Sequence, residues 1–256
     1  MLKDRFFYSL RVLRKLVERD LFARFSTPLM GNSWLVLEPI LLLSVYYLFV
    51  TAFLGVKSEH YLISLFCGIV PFTYFQNTIQ ANTSALTRYR ALLRGGIVDI
   101  KLLPFISLIS NLFPHAVLIL ALMILGWLSG TLTILGVLCL PIAMVSLAIF
   151  SALISFIIMI ANVFFKDIEF IVTLGLRLAV FFCPIFFSAD KVPKPFYYFY
   201  VAFPLNSIIE SYRNVILYGK LPTLFVFGAW IVAYLCLILI ARALFVSVSN
   251  KITDQL

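Results

Sequence analysis

Charge is scarce in this chain, and side chains able to do chemistry are scarcer. Only 12% of the residues are charged, 11 of them acidic, and 2 are histidine. His60 and His115 lie far apart in the sequence, which argues against a metal site. No G-x-x-x-x-G-K-S/T run occurs, so the chain is not expected to bind and hydrolyse ATP by itself. G-x-S-x-G and H-E-x-x-H are missing too, which removes two common hydrolase signatures. The 4 cysteines, Cys67, Cys139, Cys183 and Cys236, each fall in an apolar stretch without paired spacing. They read as small buried hydrophobes, neither disulfides nor metal ligands. A proton-coupled carrier needs carboxylate or histidine relays inside its spans, and most of the long apolar runs here have no carboxylate. Strand alternation is absent, so a barrel is unsupported.

Hydrophobicity is what the chain has in abundance. At 63% hydrophobic it is far outside the soluble range and reads as an integral membrane protein. The length accommodates about six helical spans of roughly 20 residues each. They are expected near residues 34–54, 62–81, 104–128, 134–164, 170–187 and 224–245. The first apolar run lies too far in, and is too long, for a cleaved signal peptide.

The net charge of +9 matters less than its placement. Basic residues crowd the first 27 positions and the segment from Arg88 to Lys101. Because they border apolar spans, they read as membrane orientation signals and not as a nucleic-acid surface. Residues 1–27 are expected to form an amphipathic helix in the membrane interface, with Phe6, Leu10, Leu13, Val17 and Leu21 on one face and Arg11, Lys15 and Arg19 on the other. Residues 86–103 form a basic loop broken at Gly95-Gly96, placed on the cytosolic side with both termini. Glu38, just inside the first span, is either hydrated at the interface or functional. His115 reads as a hydrogen-bonded helix contact rather than a proton relay.

Residues 188–222 break the pattern. They are too polar for a lipid-facing span and too short for two, with Lys191, Lys194, Glu210, Arg213 and Lys220 set among four prolines. Irregular backbone at membrane depth survives only where protein or a water-filled cavity satisfies it. The segment therefore reads as a re-entrant or interfacial hairpin; an ordinary loop on the headgroups is the alternative. Ser207-Ile-Ile-Glu210 has the form of a capping box, and Ile208, Ile209, Tyr212, Val215 and Ile216 form an apolar stripe behind it. Gly219 stands where that helix should stop, and Glu210 can pair with Arg213 three residues on.

Several short motifs, in this order, resemble one family. They are Arg19-Asp20 and Arg24, then Gly31, Trp34 and Glu38-Pro39; Gly68-Ile-Val-Pro71-Phe72 with Tyr74-Phe75; Phe165-Lys-Asp167-Ile-Glu; Cys183-Pro184-Ile-Phe-Phe-Ser; and Phe203-Pro204-Leu-Asn206 through Arg213 to Tyr218-Gly219. The pattern is similar to ABC-2 type exporter permeases, most of all the membrane subunits that export O-antigen, with capsule and teichoic acid exporters as near relatives. Phe25 to Met30 departs from it, since relatives carry more polar and basic residues there.

The resemblance implies an all-α inner-membrane protein of one domain, residues 1–256. It implies six transmembrane helices, an N-terminal interfacial helix, and an external re-entrant hairpin between spans 5 and 6. It also implies a homodimer working with two copies of a separate ATP-binding subunit, which would hold ATP-Mg, so that no cofactor sits in this chain. The cargo would be an undecaprenyl-diphosphate-linked glycan.

Sugar rings stack on aromatic faces and need partners for their hydroxyls, and a sliding polymer needs many weak contacts. Tyr46, Tyr47, Phe72, Tyr74, Phe75 and Gln76 are the candidate pathway lining. Arg24 and Arg88 are candidates for the diphosphate. Arg88, Arg90, Arg94 and Asp99 are candidates for coupling to the ATPase. Pro204, Asn206, Glu210 and Arg213 are candidates for the external gate. A permease for small apolar drugs would want a purely apolar lining, and a membrane transferase would want a carboxylate or histidine site.

Overall fold

The computed structural model describes residues 2–25, 33–53, 55, 60–187 and 192–255, with side chains described for 7–23, 33–34, 37, 40–52, 55, 60–187 and 192–246. Every regular element among the described residues is a helix, without a strand. In chain order the helices are α1 (Leu2–Phe25), α2 (Trp34–Phe53), α3 (Tyr61–Thr83), α4 (Ala85–Arg88), α5 (Arg90–Arg94), α6 (Leu103–Leu128), α7 (Ile134–Phe164), α8 (Ile168–Phe182), α9 (Lys194–Ala202), α10 (Pro204–Tyr218) and α11 (Leu224–Gln255).

Helix α3 is the axis of the bundle. It packs on α6, α7 and α10, and Leu65, Cys67 and Val70 on it are fully buried. At 1.5 Å per residue its 23 residues span about 35 Å, enough for a hydrocarbon core. Four segments are long and apolar enough to cross a membrane: Tyr61–Thr83, Ile100–Leu128, Ile134–Phe164 and Leu224–Val246. The chain is a multi-pass membrane protein on this evidence.

Among the described residues, four of the six expected spans are found at full length. Of α2, the apolar stretch with described side chains is Ile40–Ala52. The fifth expected span, 170–187, stops short because α8 ends at Phe182 and is 15 residues long. Pro184 explains the stop: it has no N–H to donate and drives Cys183 out of helical geometry, where ψ is 156°. About 22 Å of helix remains, less than a bilayer core.

Between neighbouring helices, amides and hydroxyls supply most of the specific ties. Asn82 Nδ2 donates to Ser155 Oγ at 3.0 Å and to the Pro104 carbonyl at 3.4 Å. Asn162 Nδ2 donates to the Thr83 carbonyl at 2.8 Å, and Asn111 Nδ2 to Thr78 Oγ1 at 3.2 Å. Such bonds join helices whose apolar surfaces gain little from leaving lipid. On α1, Leu16 and Val17 are buried, and Leu13 and Leu21 pack against a second cluster with Leu86, Tyr89, Leu103 and Met159. Part of the helix's apolar face is thus covered by protein.

Candidate functional site

The hairpin segment folds as two helices of opposite character. Helix α9 has no buried residue, and Phe196, Tyr198 and Phe199 on it are exposed. Helix α10 is embedded between α3 and α7, and Ile208, Ile209, Tyr212, Val215 and Ile216 are fully buried, as the stripe in the sequence requires. A surface loop is ruled out for this arm. Its end is also as expected: Gly219 adopts φ 60°, the left-handed geometry that glycine tolerates.

Its beginning is not. The capping box reading fails because α10 starts at Pro204, a residue whose missing N–H is harmless in a first turn. Ser207 lies inside the helix and donates back to the Phe203 and Pro204 carbonyls. Its Oγ in turn accepts from Trp230 Nε1 of α11 at 2.7 Å.

Arg213 is the centre of this end of the molecule. Only 1% of it is exposed. Its Nη1 donates to Glu210 Oε2 at 2.5 Å and to the Phe187 carbonyl at 3.4 Å. Its Nη2 donates to the carbonyls of Pro184 at 2.5 Å, Ser64 at 3.3 Å and Ile185 at 3.4 Å. The Phe186 carbonyl accepts from Tyr61 Oη at 3.3 Å. Residues 184–187 follow the broken end of α8, and their carbonyls have no helical partners. One guanidinium and one phenol satisfy all four, as backbone in a low-dielectric interior demands.

The same irregular segment lies directly on α3. A Cβ added at Gly68 would stand 2.8 Å from Ile185 Cα. Only glycine permits that approach, and it lets the segment reach Arg213.

His115 of α6 points to α10, with Nε2 3.1 Å from Tyr212 Oη, and its ring packs 4.7 Å from that of Tyr74. This is the helix contact expected from sequence.

At the other end of α3 lies an open cavity of about 700 Å³. Arg19, Asp20, Asn77, Gln80, Arg88 and Glu169 line it. Arg88 Nη1 is 3.8 Å from Asp20 Oδ1, and the Arg19 guanidinium lies over the Tyr89 ring at 5.1 Å. Two arginines, two carboxylates and two amides make a polar chamber of balanced charge. Arg90, Arg94 and Asp99 are exposed just beyond it, on α5 and the following turn. The basic segment begins as two short helices, α4 and α5, separated at Tyr89, and Gly96 turns the chain at φ 64°.

Among the described residues, the six aromatic and amide candidates sit in different surroundings. Phe72 and Tyr74 are buried, and Tyr74 Oη donates to the Leu108 carbonyl at 3.3 Å. Phe75 stacks on Phe150 and lines an apolar groove of about 430 Å³ beside α8. Gln76 is half-buried. Tyr46 meets Phe186 edge to face, and Tyr47 stacks on Tyr61, both at the hairpin end. Side chains of Arg24, Glu38, Gly31 and Lys191 fall outside the described residues. Cys236 corrects its expectation: it is exposed on the outer face of α11, whereas Cys67, Cys139 and Cys183 are buried.

Two features escaped the sequence. One is the carbonyl set that Arg213 holds; the proline at 184 with a glycine at 68 was its only trace. The other is the gathering of Arg19, Asn77, Gln80 and Glu169 around Arg88. Amides at the end of an apolar run were the available sign.

No family model matches the chain. Among curated proteins, two O-antigen export system permease proteins RfbA from Klebsiella pneumoniae are 23% and 24% identical over 218 residues, covering 84% of this chain and 83% of each relative. One from Myxococcus xanthus, with the same description, is 24% identical over 213 residues, covering 82% of both chains. By sequence, over 82–84% of its length, this chain resembles O-antigen export system permease proteins.

Proposed function

We propose that this chain is the membrane permease subunit of an ATP-driven exporter that moves undecaprenyl-diphosphate-linked polysaccharide, O-antigen above all, across the inner membrane. One observation carries the reading. A hairpin is tied down at one end of α3 and an arginine-lined cavity opens at the other, in a chain whose relatives are named O-antigen export permeases. A gate and a headgroup chamber at opposite ends of one axis are what translocation of a charged, lipid-anchored polymer requires.

In this reading both termini and the arginine-lined end are cytosolic. Arg88 and Arg19, with Arg24 nearby in sequence, attract the diphosphate, because guanidinium groups match phosphate oxygens with paired, charge-assisted bonds. Two copies of the chain enclose the pathway, and Tyr46, Tyr47 and Phe75 contribute ring faces to it. Two separate nucleotide-binding subunits hold ATP-Mg and drive the cycle. Their closure presses on α4 and α5 through Arg88, Arg90, Arg94 and Asp99. The hairpin with Pro204, Asn206, Glu210 and Arg213 closes the external side. No side chain of this subunit makes or breaks a covalent bond.

Deletion with lipid-glycan analysis tests it. Cells lacking the chain are expected to accumulate finished lipid-linked polymer on the cytosolic face and to lose it from the surface. Normal surface glycan in the deletion strain contradicts the proposal.

A further inference from the structure

Beside the Arg213 anchor, and separate from the chamber at the other end of α3, lies a smaller cavity of about 200 Å³. It is enclosed by α9, α10 and the start of α11. Tyr197, Tyr198, Tyr200, Asn206, Glu210 and Asn214 form its polar and aromatic wall. Its volume equals that of roughly six or seven liquid waters, about the size of one sugar ring.

Two polar atoms at this cavity are unsatisfied. The Tyr200 hydroxyl is buried and has no hydrogen-bond partner among the described residues. Asn206 is 7% exposed; its Nδ2 donates to the Tyr200 carbonyl at 3.3 Å, while its Oδ1 accepts nothing. Buried polar atoms without partners are rare in folded chains, and these two are able to bond a molecule in the cavity. Burial also pushes the Tyr200 phenol above its usual range, so it stays neutral, able both to donate and to accept.

The charge of the wall decides what kind of ligand fits. No lysine or arginine lines the cavity among the described residues, while the Glu210 carboxylate does. A phosphate headgroup would meet a negative wall without a cation. A neutral sugar would meet ring faces for its C–H surface, and amide, phenol and carboxylate groups for its hydroxyls.

We infer that this cavity is a binding subsite for a single neutral sugar residue, holding the glycan chain against the hairpin as it leaves. The inference rests on the export reading for the source of the sugar, but the subsite itself stands on the cavity's chemistry. Because Glu210 also holds Arg213, an occupied cavity and the anchor share one carboxylate. Sugar in the pocket competes for the group that helps keep α10 docked.

Saturation-transfer NMR on the purified full-length chain tests this. The probes are the methyl glycosides of glucose, galactose, mannose and N-acetylglucosamine, with glycerol 3-phosphate as the headgroup probe. Transfer to at least one glycoside is expected. It should fall at least fivefold in Thr223→Trp, which adds bulk to the lining, and in Asn214→Ala, but not in the size-matched Thr223→Val. Should Thr223→Trp fail to fold, Tyr197→Leu serves as the second variant. Transfer to none of the glycosides, transfer that ignores these variants, or preference for glycerol 3-phosphate overturns the subsite. Surface glycan is scored in the same strains. Export without glycoside binding overturns the subsite alone; glycoside binding without export overturns the export reading and leaves the subsite standing.

Discussion

Arg213 Nη2 lies 2.5 Å from the carbonyl oxygen of Pro184, joining α10 to the broken end of α8 across 29 residues of chain. Around that bond four neighbouring carbonyls are satisfied, and the hairpin acquires a fixed position on α3. The anchor is electrostatic and buried, so its loss is expensive. Arg213→Ala removes the guanidinium partner of Glu210 and of the carbonyls of Pro184, Ile185 and Phe187. Removing one partner of a buried pair costs about 3–5 kcal/mol. Thermal unfolding in detergent should show a large drop, with Arg213→Lys falling between because an ammonium cannot reach several carbonyls at once. An Arg213→Ala chain that melts with the wild type would mean the anchor does not hold the hairpin.

Gly68 gives a steric test of the same contact. In Gly68→Ala the new methyl meets the backbone of Ile185 at 2.8 Å, so α3 and the segment after α8 must separate. Overpacking of this kind costs about 1–3 kcal/mol. Gly175→Ala on α8 is the control, since nothing lies within 4 Å of its added Cβ. It should be neutral or slightly stabilising, because alanine is the better helix former. Equal melting of the two variants would refute the close approach.

Asn82 links α3 to α6 and α7 through Pro104 and Ser155. Interhelical bonds inside membranes contribute about 0.6–2 kcal/mol. Asn82→Ala should lower stability by that order without altering glycan export. Denaturant titration of the purified chain checks the first part and a surface glycan assay the second.

At the opposite end, Arg88 should matter for work and not for folding. It is 43% exposed and its contact with Asp20 is 3.8 Å, a pairing that contributes little to stability. Arg88→Ala combined with Arg19→Ala is expected to reduce export several-fold with a melting drop far smaller than that of Arg213→Ala. Full export by the double variant would remove the headgroup role assigned to the cavity.

Helical character, the boundaries of α3, α6 and α7, and the buried stripe of α10 were all legible in the sequence. Long uncharged runs and a period of 3.6 leave few alternatives. The Glu210–Arg213 pair was legible too, because i and i+3 face each other on any helix. What Arg213 does beyond that pair was not, since carbonyl oxygens carry no residue identity and any segment could have supplied them. The α10 start was misjudged because Ser207 and Glu210 have capping chemistry, whereas proline three residues earlier already supplied the first turn. The expected fifth span runs past the end of α8 because hydropathy counts Cys183 to Phe187 as apolar, and only the broken backbone at Pro184 shows where the helix stops. The arginine-lined cavity combines residues from α1, α3, α4 and α8, and no local pattern announces such a meeting.

Inverted membrane vesicles offer the most direct test of the central claim, that this chain passes lipid-linked glycan across the membrane on power supplied by another subunit. Lipid-linked polymer exposed on the outside of such vesicles should become protected from periodate when ATP is added, and only when both the chain and its nucleotide-binding partner are present. Protection that is unchanged in vesicles lacking the chain, or that proceeds with the chain alone, would contradict the account.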